Sequence, residues 1–132
     1  MEELVSDGWS AVSDVCAAQG GHLPRPNSEA EFLELIAIAE AQGANFIWLD
    51  AWLHDDGVWR WSDGSEVGFF LWDKGQPSGT DVDGTEERRL MIWRVEFGNH
   101  PEGWAYNDCR DDPAAFRPDE YDDSIAVICT FN

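Results

Sequence analysis

The apolar period of this chain changes once, near Asn45, and that change constrains the fold more than any other feature. Before it, apolar residues recur at helical spacing. Trp9, Val12, Val15 and Cys16 share one helix face, and Gly20-Gly21 supplies a stop. Ser28-Glu29-Ala30-Glu31 reads as a capping box, with the Ser28 hydroxyl and the Glu31 carboxylate each accepting from the other residue's exposed backbone N–H. Phe32, Leu35, Ile36 and Ala39 continue an apolar face until Gly43 ends it. After Asn45 the texture is that of strands. Phe46-Ile47-Trp48-Leu49 is a dense apolar run, Asp55-Asp56-Gly57 a hairpin turn, and Val58, Trp59 and Trp61 lie on the returning strand. Asp63-Gly64 turns the chain again, 69–72 is a further apolar stretch, and strands are expected over 90–95 and 124–130. Two acidic segments without periodicity, 73–87 and 110–123, lie between these elements. Long irregular loops inside a compact domain are often functional. The expected class is α+β: two helices, then antiparallel sheets with a long loop region.

At 132 residues the chain has the length of one domain, large enough to bury a core of its own. No apolar run approaches bilayer-spanning length, so no membrane insertion is expected. Met1-Glu2-Glu3 has the wrong charge for a signal peptide, which makes a mature domain or a piece of a longer chain the expectation. The formal charge of −19 comes from 27 acidic residues against eight scattered Lys and Arg. Nucleic-acid binding needs a basic stripe, so that class is set aside. Most of the carboxylates belong to a solvated, self-repelling surface; a few could hold a divalent cation.

Cys16, Cys109 and Cys129 show no CxxC spacing, which argues against structural zinc. One disulfide with a leftover thiol suits an extracellular chain, while a reduced protein with three buried cysteines stays open.

In order along the chain, seven pieces resemble the C-type-lectin-like domains. They are Trp9…Cys16…Gly20-Gly21-His22-Leu23; Asn27-Ser28-Glu29 with Glu31 and Phe32; Phe46-Ile47-Trp48-Leu49; Trp59-Arg60-Trp61-Ser62-Asp63-Gly64; Trp72-Asp73-Lys74-Gly75-Gln76-Pro77-Ser78; Tyr106-Asn107-Asp108; and Ala126-Val127-Ile128-Cys129. The similarity runs over about 9–131, within a single domain of 1–132. It implies a disulfide between Cys16 and Cys129 and the absence of the family's inner bridge. Cys109 is then a buried thiol or an intermolecular link.

The resemblance also implies a calcium site. Carried over residue by residue, its ligands are Gln76, Ser78, Glu86 or Glu87, Asn107 and Asp108, with the Pro77 peptide bond cis. Calcium takes six to eight oxygens, and Asp83, with Asp81 in the same loop, is a further candidate. Ser78 departs from the pattern, since a hydroxyl replaces a carboxamide or carboxylate. Asp81-Val82-Asp83-Gly84 matches only a fragment of an EF-hand loop, and His22, His54 and His100 have no ligand-like spacing.

In sugar-binding members the same calcium coordinates two vicinal hydroxyls, which here gives Gln76, Ser78, Glu87, Asn107 and Asp108 as sugar-contacting residues, with Trp104 as the candidate stacking residue. Gln76-Pro77-Ser78 matches neither the galactose-type nor the mannose-type triplet, so the glycan stays undecided. Trp48, Trp59, Trp61, Trp72 and Trp93 are expected in the core. No nucleophile–base pair or phosphate-cradling loop is present, so no enzyme is expected. The expected function is a secreted, calcium-dependent carbohydrate-binding module. The alternative is a lectin-like domain that binds a protein or ice surface.

Overall fold

The computed structural model describes residues 4–73, 76–80, 83–94, 103–116, 118–121 and 123–131. Lys74, Gly75, Asp81, Val82, Val95 and His100, all used in the reading of the sequence, lie outside the described residues.

Helix α1 (Trp9–Ala18) buries Trp9, Val12 and Cys16. Val15, expected on the same face, is exposed. At about 100° per residue it sits roughly 120° around the helix from Trp9. Helix α2 (Glu29–Gln42) buries Phe32, Ile36 and Ala39. Each of the larger side chains stabilises the fold by about 1.5–3 kcal/mol. The Ser28 hydroxyl accepts from the Glu31 N–H at 3.2 Å, as the capping box requires. The return bond differs: the Glu31 carboxylate accepts at 2.8 Å from the Asn27 N–H, one residue earlier. Gly43 ends the helix in the left-handed conformation (φ 74°).

The sheet comprises β1 (Phe46–Leu53), β2 (Trp59–Trp61), β3 (Arg89–Arg94), β4 (Trp104–Cys109) and β5 (Ile125–Ala126). Hydrogen bonding orders them β2-β1-β3-β4, antiparallel throughout, while β5 pairs in parallel with Phe46 and Ile47 of β1. Side chains alternate between the faces of a strand, and here both faces are covered. Ile47, Leu49, Leu90, Ile92, Trp104 and Tyr106 pack with the buried face of α2. Phe46, Trp48, Met91 and Cys109 pack with α1. Burial on both sides explains why β1 reads as a continuous apolar run.

Among the expected core tryptophans, Trp48, Trp59 and Trp61 are buried, and Trp72 and Trp93 are partly buried against the core. The 69–72 stretch forms no strand, only a bridge from Trp72 to Tyr106. Strand 124–130 shortens to β5 plus a bridge between His22 and Thr130. Segment 110–123 is not wholly irregular: it holds the one-turn helices α3 (Pro113–Phe116) and α4 (Pro118–Tyr121).

Cys16 and Cys129 form a disulfide across 113 residues. In the chain-entropy model, closing a loop of that size stabilises the fold by about 4–5 kcal/mol. Cys109 stands outside that bridge, buried, with its Sγ 3.9 Å from the Tyr121 hydroxyl. That burial favours the core-thiol reading over an intermolecular link.

Candidate functional site

β4 carries Asn107 and Asp108 into the interior, paired in register with Met91 and Leu90 of β3. Asp108 is 0 % exposed. Its two carboxylate oxygens accept backbone N–H groups from the segment that follows Pro77: Ser78 N to Oδ1 at 3.1 Å and Gly79 N to Oδ2 at 2.7 Å. The Gln76–Pro77 peptide is cis. Gly79 lies at φ 87°, a conformation that favours glycine, so the residue that reaches Asp108 is also one that tolerates the turn.

Ser78 is the hub. Its N–H is shared with Gln76 Oε1 at 3.0 Å, and its hydroxyl donates to Glu87 Oε1 at 2.6 Å. The described arms 79–80 and 83–87 lie side by side as a small hairpin, with Thr80 bridged to Glu86 and the Glu87 N–H donating to the Gly79 carbonyl at 2.9 Å. Gln76, Ser78, Glu87 and Asp108 therefore form one connected set. Asn107 is buried beside Asp108, and among the described residues its carboxamide is bonded to none of the other four.

The other sequence candidates lie apart from this set. Glu86 is exposed, with its carboxylate 3.7 Å from Arg88. Asp83 caps the hairpin tip, accepting from Thr85 N at 3.0 Å and from Arg110 Nη1 at 2.8 Å. The Arg110 guanidinium, followed by the Thr85 amide, holds the Asp83 carboxyl down at about 2. Trp104, proposed from sequence as a stacking residue, is 0 % exposed and lies under the Arg94 guanidinium at 4.7 Å, so no ring face is open to a sugar. Its position in β4 explains the correction, because it sits on the α2 side of a sheet covered on both faces. Burial, with the Glu31 charge nearby, pushes the Tyr106 phenol up.

Two participants escaped the sequence reading. The Gly79 amide carries no side-chain signal. Arg110 belongs to no motif, and its only mark was a cation at the start of an acidic stretch.

The donor set is all oxygen: carboxamide, hydroxyl and carboxylate. Among the described residues no three His, Cys, Asp or Glu side chains cluster. Oxygen donors of these mixed neutral and charged types are ones that calcium accepts.

The chain matches the model of the lectin C-type domain over residues 5–112. It is 30 % identical over 92 residues to Ladderlectin of Oncorhynchus mykiss, a match covering 67 % of this chain and 47 % of that protein. The chain thus spans about half the length of that curated relative. Among solved structures, an SPL-1–GlcNAc complex superposes with a TM-score of 0.62 at 23 % identity, covering 83 % of this chain and 75 % of that one. A calcium-independent type II antifreeze protein superposes with a TM-score of 0.61 at 21 % identity, covering 83 % and 75 %. These likenesses show the α+β C-type lectin fold. With the family match across most of its length, the chain belongs to the C-type lectin domain family, which is non-catalytic.

Proposed function

We propose that this domain recognises glycan hydroxyls through a calcium ion held by Gln76, Ser78, Glu87, Asn107 and Asp108, and that it works outside the cell. The observation that carries the proposal is Asp108. A buried carboxylate is expensive unless a cation answers it. Among the described residues no Lys, Arg or His pairs with Asp108; its partners are two neutral amides. Glu87 joins the set through the Ser78 hydroxyl and would bring a second carboxylate to the metal.

Bound there, calcium would supply coordination positions for two vicinal sugar hydroxyls. The chain's own part is to orient them. Gln76 and Asn107 can donate and accept through their carboxamides, and Glu87 accepts. With Gly79 after Ser78 and Trp104 buried, neither position stacks on the apolar face of a sugar. Recognition then rests on hydroxyl geometry. The Cys16–Cys129 disulfide supports an oxidising, extracellular setting.

A glycan array read with calcium and again with chelator tests the proposal. Binding that appears with calcium and vanishes with chelator is expected. Binding indifferent to chelator would remove the metal from the site. A second reading, recognition of a glycan, protein or ice surface without calcium, draws on the internal bonds that already satisfy Ser78, Glu87 and Asp83. The chelator arm of the array separates the two.

A further inference from the structure

We infer that Arg110 is a positioning residue, a built-in cation that holds the 83–87 arm of the hairpin in place beside Asp108 whether or not a metal is bound. The inference rests on reading that hairpin as part of the glycan site.

Arg110 immediately follows β4, two residues after Asp108. Its side chain is 13 % exposed, and Nη1 lies 2.8 Å from Asp83 Oδ2. The other Asp83 oxygen accepts the Thr85 N–H at 3.0 Å, so the paired carboxylate also caps the hairpin tip, where Gly84 turns the chain at φ 87°. Arg110 Nε lies 3.7 Å from Asp112, so the same cation faces a carboxylate of the next segment. A planar guanidinium can serve two carboxylates from different edges, whereas an ammonium acts as a point charge. In a chain of net charge −19, the arrangement places a positive charge where loop acids would otherwise repel one another.

The root and the tip of the hairpin are therefore held by different physics. At the root, Asp108 accepts neutral backbone amides from Ser78 and Gly79. At the tip, Arg110 pairs with Asp83. The root contact alone leaves the tip free to open. With both, the Glu87 carboxylate is presented before any ligand arrives, and metal or glycan binding is relieved of the ordering entropy of the hairpin.

Hydrogen exchange of the Gly79, Thr85 and Glu87 amides, each bonded within the hairpin or to Asp108, tests this on the whole chain in chelator. Strong protection is expected in the unaltered protein. R110Q should lower it at least tenfold in the hairpin while leaving β1 and β3 unchanged. D83N should lower it too, and the double variant should lose less than the sum of the single changes, because both remove the Arg110–Asp83 contact. Full protection in R110Q, additive losses in the double variant, or an unprotected hairpin in the unaltered protein would overturn the inference. Glycan binding that ignores calcium while the latch behaves as described would overturn the calcium reading and leave the Arg110 role standing.

Discussion

Asp50 in β1 and Asp108 in β4 are both buried carboxylates on strands of one sheet, 2 % and 0 % exposed, yet they are satisfied in opposite ways. Asp50 has a protein cation: Arg25 Nε donates to it at 2.7 Å and the Ser62 hydroxyl at 2.5 Å. Asp108 has two backbone amides and, among the described residues, no cation. The first is electrostatically closed and reads as structure. The second is met by neutral amides alone, and it is there that the proposed calcium would act. Burial alone does not distinguish a structural acid from a functional one; the identity of its partners does.

The largest effect expected from breaking this contrast is at Asp50. Arg25→Ala would strip Asp50 of its guanidinium partner and should lower unfolding stability by about 3–5 kcal/mol. Denaturant titration measures this, and calcium should not restore the loss. A change below about 0.5 kcal/mol would show that Asp50 does not depend on its cation.

At Asp108 the external cation is the variable. Calcium at about a hundredfold excess over its Kd should add roughly 2.7 kcal/mol to stability, read as a rise in Tm. No shift at millimolar calcium would end the contrast in its present form. Asp108→Asn should abolish that shift and also cost about 1.5–3 kcal/mol in chelator, because a carboxamide nitrogen would face a backbone donor. Asn107→Ala separates the roles: it should weaken calcium-dependent glycan retention about tenfold or more, with little change to the amides that Asp108 holds. Retention unchanged in that variant would exclude Asn107 from the site.

The smallest effect belongs to the hairpin tip. Asp83 is held at about 2 in the folded protein against an ordinary value of 3.8. A depressed carboxyl contributes stability that is present above 3.8 and is lost as pH falls through about 2. Protection of the Thr85 amide relative to its intrinsic exchange rate should therefore fall between about pH 4 and pH 2, and in D83N that dependence should be absent.

Much of the fold was legible in the sequence because its causes are local. The Ser28 cap, the Gly43 stop, the turns at Asp55-Asp56-Gly57 and Asp63-Gly64, and the apolar run of β1 each act within a few residues. β4 was not anticipated as a strand, although every one of its residues is buried. Its sequence, Trp-Ala-Tyr-Asn-Asp-Cys, lacks an alternating pattern because two sheet faces and a crossing segment cover it. For the same reason Trp104 read as available to a ligand when it is core. The candidate site was legible as a set of motif residues, but not the partition among them. Sequence spacing says nothing about whether Glu86 or Glu87 faces Ser78, or that Arg110 reaches Asp83.

By itself the sequence determined that two helices precede the sheet, the family likeness and the chemical types gathered in the long loop, since these follow from periodicity, turn residues and motif order. Tertiary structure alone decided which acid is answered by a protein cation and which is not. That depends on through-space contacts between residues such as Arg25 and Asp50, or Gly79 and Asp108, which lie 25 and 29 positions apart. Coulomb and hydrogen-bond energies fall off with distance in space; separation along the chain does not enter them.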